Sequence, residues 1–159
     1  MLDKPAKDLG ERIALRMAEL RAARGLSLDA LAGASGVSRS MISLIERGES
    51  SPSAVVLDKL ARALGTGLAA FFDPGAGDGP PSPVARHEDQ PCWKDPDSGY
   101  RRRNVSPPGV PQPMRIVDIH FPAGARVTFD SPRDDAVQQV WVLGGTLEVT
   151  VGEEQYTLH

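Results

Sequence analysis

The sequence predicts a multidomain chain: an all-α domain of five short helices over residues 1–72, followed by an all-β domain over residues 84–159. Three observations lead there. Apolar residues recur at helical spacing in the first part and alternate along much of the second. The composition also shifts: residues 1–72 hold 10 Lys and Arg against 8 Asp and Glu with only Pro5 and Pro52, whereas the rest holds 8 against 13 and the other 12 prolines. Between them FDPGAGDGPPSP (residues 72–83) packs four prolines and three glycines into twelve positions. That composition cannot bury a core, so residues 73–83 read as a semi-flexible tether and the two domains are expected to move relative to each other.

Leu9, Ile13, Met17 and Leu20 fall on one stripe of a first helix that Gly25 ends. Ser27 is an N-cap for a short second helix, Leu28 to Ala32 and beyond, closed between Gly33 and Gly36. Ser38 caps a third, Arg39 to Arg47, with Ile42 and Ile45 inward and Gly48 just past its end. A small-residue turn joining two short helices makes a helix-turn-helix. Pro52 and Ser53 open a fourth helix with Leu57, Leu60, Ala61 and Leu64 on its buried stripe, and Leu68, Phe71 and Phe72 read as a closing fifth turn.

The net charge of −3 divides into +2 and −5 between the halves, an asymmetry that hints at one nucleic-acid-facing end. The single cysteine, Cys92, forms no intrachain disulfide, and no Cys/His cluster has zinc spacing. Charges run through residues 1–20 and nowhere do 18 apolar residues follow one another, so neither a signal peptide nor a membrane span is expected. The expected compartment is the cytoplasm, with no membrane partner and no cofactor.

From Leu9 to Phe72 the chain resembles the Xre/phage-repressor (lambda-repressor-like) family of helix-turn-helix domains. The match is carried by LSLDALAGASGVSRSMISLIERGESSPS: the Gly36-Val37-Ser38-Arg39 turn, the run Ile42 to Gly48, and Pro52-Ser53, all at one spacing. The resemblance implies that the third helix lies in the major groove of double-stranded DNA with its first residues at base edges. Transferred by position, Ser38, Arg39, Ser40 and Ser43 face the DNA. Arg39 has the donor fork that suits guanine O6 and N7, though a solvated or phosphate-bound Arg is the plainer alternative. Ser43 and Leu44 would touch a thymine methyl or a base edge, unless Leu44 packs on the fourth helix. Arg47, Ser50 and Ser51 would position the phosphate backbone. Many members carry a phosphate-clamping Gln near the start of the second helix; here Leu28 stands in that place, leaving the contact to Ser27 or to the helix N-terminus. Members usually dimerise on pseudo-palindromic sites, so a homodimer is expected.

Met114 to Phe121 and Arg126 to Phe129 read as strands. Ala136 to Leu143 and Thr146 to Val151 read as a hairpin closed by Gly144-Gly145, with a further turn at Gly152-Glu153 leading to Gln155 to Leu158. The stretch VWVLGGTLEVTVGEEQYTLH resembles the first half of a cupin, the jelly-roll barrel that often follows such a helix-turn-helix, and CWKDPDSGYRRRNVSP resembles its lead-in. The barrel would then be incomplete, which favours a fragment of a longer product over strands supplied by a partner. A cupin metal site uses a His-x-His pair and a Glu; the corresponding places hold Asp130, Pro132 and Gln138, so no metal is expected. His120 reads as a barrel histidine, while His87 and His159 form no cluster. Arg101-Arg102-Arg103 reads as a covered or paired surface more than as a DNA patch.

The function expected is a sequence-specific DNA-binding transcriptional regulator and not an enzyme, with the cupin-like domain serving dimerisation and small-molecule effector sensing through Gln138, Val140, Trp141 and Val142. A cupin-type enzyme tethered to a DNA-binding domain and an antitoxin-like protein-interaction regulator are the alternatives.

Overall fold

The computed structural model describes residues 6–72, 82–110, 114–129 and 137–159. Four α-helices come first: α1 (Ala6–Ala23), α2 (Leu28–Ser35), α3 (Arg39–Glu46) and α4 (Ala54–Ala63), followed by a 3-10 turn at Leu68–Phe72. The expected fifth helix is thus one tight turn. Its Phe71 and Phe72 are nonetheless buried, which closes the bundle. Ile13 and Met17 of α1, Leu31 of α2, Ile42 and Ile45 of α3, and Leu57, Leu60 and Ala61 of α4 meet in one core, with Leu9 and Leu20 packed at its edge. All but Leu31 were expected inside from the 3.6-residue period, because only one stripe of a short helix can be shielded from water at a time.

The helix ends follow the capping residues. The Ser27 and Ser38 side chains accept the Ala30 and Met41 backbone N–H groups at 3.0 and 3.2 Å. After α3 the chain enters the left-handed region at Gly48 (φ 70°), where the N–H groups of Gly48 and Glu49 bond the carbonyls of Ile45 and Leu44. Between α2 and α3 Gly36 (φ 70°) makes the sharp reversal that a side chain would strain.

Two small antiparallel sheets follow. One has the order β1 (Cys92–Lys94), β2 (Arg101–Asn104), β3 (Val117–His120); the other is a hairpin of β4 (Leu147–Val151) and β5 (Glu154–Leu158). The hairpin turns at Gly152-Glu153, where Val151 pairs with Glu154. The reading of the second part needs three corrections. The Met114 to Phe121 strand is confined to Val117–His120. Arg126 to Phe129 and the described part of Ala136 to Leu143 are not strands, so Gly144-Gly145 closes no hairpin; Ala136 itself lies outside the described residues. Those segments are rich in strand-favouring residues, but a strand also needs a neighbour for its N–H and C=O groups, and none of the described strands lies beside them. Finally, the described strands form no closed barrel.

The β part also adds to the helical core. Trp93 of β1 and Tyr100 just before β2 are buried in the same cluster as the helices. The Trp93 ring lies 5.9 Å from Phe72 and 5.8 Å, edge-on, from Tyr100, which stacks on Phe121 at 5.1 Å. The Arg102 guanidinium sits 5.8 Å from the Phe72 ring centre. Burial pushes the Tyr100 phenol up to about 12, against the pull of the Arg102 charge, so it stays neutral in this aromatic stack. The sheet β1-β2-β3 is therefore docked on the helices, where the tether had suggested independent motion; residues 73–81 of that tether lie outside the described residues.

Candidate nucleic-acid interface

Helix α3 is held at both ends. At its start Ser38 supplies the cap, and the Ser38 and Ser40 hydroxyls lie 3.2 Å apart. At its end the Glu46 carboxylate receives two bonds from Arg21 of α1, at 2.6 and 2.8 Å, while a third Arg21 nitrogen donates to the Leu26 carbonyl at 2.9 Å. One guanidinium thus fixes α1, the loop before α2 and the last turn of α3 in a single geometry. Arg21 lies off the apolar stripe of α1 and is not among the residues the sequence singles out. Its separation of 25 residues from Glu46 leaves no local signal.

With Ile42 and Ile45 buried, the opposite face of α3 carries Arg39, Ser40, Ser43 and Arg47. Arg39, Ser40 and Arg47 are exposed and Ser43 is half-buried. The face is wired internally. Arg47 donates to the Ser43 hydroxyl and makes a two-pronged pair with Glu49 at 2.8 and 2.9 Å. That pairing draws Arg47 above its usual range and holds the Glu49 carboxyl below its own. Arg39 Nε lies 3.1 Å from Asp29 of α2, a pair exposed on both sides.

Leu44 is half-buried, and the Leu28 side chain packs against the core. Ser27, exposed at the α2 cap, keeps its hydroxyl on the Ala30 N–H. The face also includes one side chain that sequence reasoning did not single out: Met41, exposed beside Ser40, with the Ser50 hydroxyl 3.8 Å from its sulfur. Met41 stands one turn before Ile45, at the rim between the buried stripe and this face, and is 37% exposed.

The residues expected to line an effector pocket are not gathered. Gln138, Val140 and Trp141 are exposed and Val142 is half-buried, with Trp141 at 85%. Their segment has no neighbouring strand among the described residues, so nothing encloses them, and they line neither of the two principal clefts found among those residues. Asp130 and Pro132 of the metal-motif places lie outside the described residues. Cys92 is exposed. Among the described residues no helix is long and apolar enough to cross a membrane.

Residues 17–71 match the model of the helix-turn-helix family HTH_3. Over 157 residues the chain is 30% identical to the HTH-type transcriptional regulator SutR of Escherichia coli (strain K12), covering 96% of this chain and 80% of that protein. Two solved structures are similar in their sequences. The restriction-modification controller protein C.AhdI from Aeromonas hydrophila is 42% identical, covering 41% of this chain and 97% of its own, with a TM-score of 0.39. An HTH_3 family transcriptional regulator from Vibrio cholerae is 34% identical, covering 62% of this chain and 58% of its own, with a TM-score of 0.42.

Proposed function

The chain belongs to the HTH_3 helix-turn-helix family of DNA-binding transcriptional regulators, and on that premise we propose that it reads operator DNA in the cytoplasm with the first turns of α3. The observation that carries the reading is the exposed face Arg39, Ser40 and Ser43 on a helix whose start is capped by Ser38 and whose end is braced by Arg21. A rigid helix of this kind presents side chains to the major groove at little cost in order. Arg39 is the base reader of the set, with its fork matched to guanine, and Met41 and Leu44 supply apolar contact to a thymine methyl. Ser27, Ser38, Arg47 and the following loop hold phosphates and set register.

A single small domain with few phosphate contacts binds weakly, so the working form is a homodimer on paired half-sites. Residues 84–159 serve as a cupin-like dimerisation and effector-sensing unit. The support is the resemblance of Val140 to His159 to a cupin half, together with the docking of β1 and β2 on the helical core, which gives the β part a mechanical path to α4.

The test is binding of the purified chain to labelled duplexes covering its own upstream region, titrated with salt, beside Arg39→Ala. The expected result is preference for one fragment, with the variant losing about 1–3 kcal/mol of that preference at an unchanged salt slope. Equal binding of both proteins to every duplex would overturn the assignment of Arg39 as a base reader.

A further inference from the structure

Where the β part meets the helical bundle, the start of α4, the turn between β1 and β2, and the segment 126–128 enclose an open cleft of about 390 Å³. That is within the size of sites that take small molecules, roughly 300–1,000 Å³. We propose that this cleft binds a small zwitterion of the α-amino acid class and is the effector site of the regulator; the inference rests on the reading of the chain as an effector-sensing transcriptional regulator.

The charges on its wall are of opposite sign. Asp97 and Arg126 both line the cleft, and among the described residues neither takes part in an ion pair. The neighbouring Asp95 is already occupied. One of its oxygens accepts the Ala54 N–H, and the other accepts both the backbone N–H and the hydroxyl of Ser98. Asp97 is therefore the carboxylate available to an ammonium group, and Arg126 the fork available to a carboxylate. Ser53 and Thr128 add hydroxyls to the lining, and Val55 and Val127 add apolar wall for a side chain. A small zwitterion offers one charged group to each of these side chains, whereas a simple amine or acid leaves one of them solvated.

The position gives the occupant leverage. Ser53 stands at the N-cap position of α4, and the loop before it runs back to Arg47 at the end of α3. A ligand that bridges Ser53 to the β1-β2 turn and Arg126 favours one seating of the β part over others. By linkage it then changes operator affinity by the ratio of its own affinities for those states.

The experiment is a thermal-melt series on the full chain with each of the twenty L-amino acids at 1 mM, repeated with the corresponding amine and N-acetyl acid. It is run on the wild type, Arg126→Ala and Asp97→Asn. The side chains exchanged are on the surface, and unliganded melting of each variant serves as the folding control. The expected result is that at least one amino acid raises the melting temperature by about 4 °C or more. Its amine and N-acetyl forms should do nothing, and each variant should lose affinity tenfold or more. Absence of any shift across the panel, or a shift of equal size in both variants, would overturn the cleft as the site. Operator binding measured in parallel without amino acid separates the two readings: loss of the DNA reading leaves the melt series unaffected, and a silent melt series leaves operator binding intact.

Discussion

Asp95, in the turn after β1, accepts the Ala54 backbone N–H at the first turn of α4, with Oδ1 at 2.8 Å. Ser53, the residue at the N-cap position, makes no side-chain capping bond of its own. A carboxylate 41 residues away in sequence thus does the work normally left to the cap, and it also lies at the positive end of the helix dipole. Only 2% of Asp95 is exposed to solvent, so the bond is shielded and the two parts of the chain are joined by it.

Replacing Asp95 with Ala removes the cap and leaves the Ala54 and Ser98 N–H groups without their partner. The expected loss is about 1–3 kcal/mol in urea unfolding at neutral pH. Asp95→Asn keeps an acceptor but not the charge and should fall between the two. A variant as stable as the wild type would mean that Ser53 or water takes over the cap.

The same carboxylate makes stability depend on acid. Burial pushes the Asp95 carboxyl up, but bonds from the Ser98 hydroxyl and from the Ala54, Ser98 and Asp97 N–H groups outweigh it and hold the group below its ordinary value of 3.8. The folded form therefore binds its proton less readily than the unfolded chain does. Its contribution is fully present above the ordinary value and is lost as pH falls through the lower, folded one. The stability gap between wild type and Asp95→Asn should be constant from pH 7 to about pH 5 and should shrink steadily below about pH 4. A gap that is unchanged at pH 3 would remove Asp95 from the acid response.

The pair of Arg21 and Glu46 makes a different prediction. Their side chains are 21% and 12% exposed, shielded enough for the two-pronged bond to count and wet enough to limit its strength. Glu46→Gln keeps the shape and removes the charge, leaving Arg21 with one good acceptor fewer. Unfolding stability should drop by about 1–3 kcal/mol. Arg21→Lys should lose a similar amount, because an ammonium cannot span both carboxylate oxygens and the Leu26 carbonyl. Additive effects in the double variant would show that the two residues act separately.

These two contacts also mark where the sequence stops being informative. The helices and their stripes were legible because caps, glycine stops and apolar period are all local and agreed with one another: Ser27, Ser38, Gly36 and Gly48 do what their positions imply. The outward face of α3 followed, since burying Ile42 and Ile45 leaves Arg39, Ser40 and Ser43 outside. Arg21 with Glu46, and Asp95 with Ala54, are long-range pairs that no spacing rule reaches. β1 and β2 were missed for a related reason, while β3, β4 and β5 fall on segments read as strands. Cys92–Lys94 and Arg101–Asn104 are short and polar, so they carry no alternating pattern, although the intervening Asp95-Pro96-Asp97-Ser98-Gly99 is a turn sequence that pointed to them. Conversely, Val140 to Leu143 is an unbroken apolar run with no described neighbour to pair with. Alternation reports which side chains avoid water, and pairing decides which segments become strands.

The exposed contact between Asp29 and Arg39 sets up the last prediction. Asp29 of α2 pairs with Arg39 at the start of α3, and its side chain is 77% exposed. So open a pair contributes little to folding, about 0–1 kcal/mol, and stability of Asp29→Asn should match the wild type within about 0.5 kcal/mol. Its effect belongs to DNA binding. In the free protein Asp29 lies 3.1 Å from Arg39 Nε, and in the proposed docking it would stand as a negative charge near the phosphates, so that binding would break the pair and face the repulsion. Asp29→Asn removes both costs, and it should tighten operator binding about threefold to tenfold at low salt, with a smaller gain at high salt as screening weakens the repulsion. Fluorescence anisotropy of one labelled duplex across a salt series is sufficient to measure it. Weaker operator binding by Asp29→Asn would reverse the assignment: the pair would then be the device that aims Arg39 at its base, and Asp29 would belong to the recognition surface rather than oppose it.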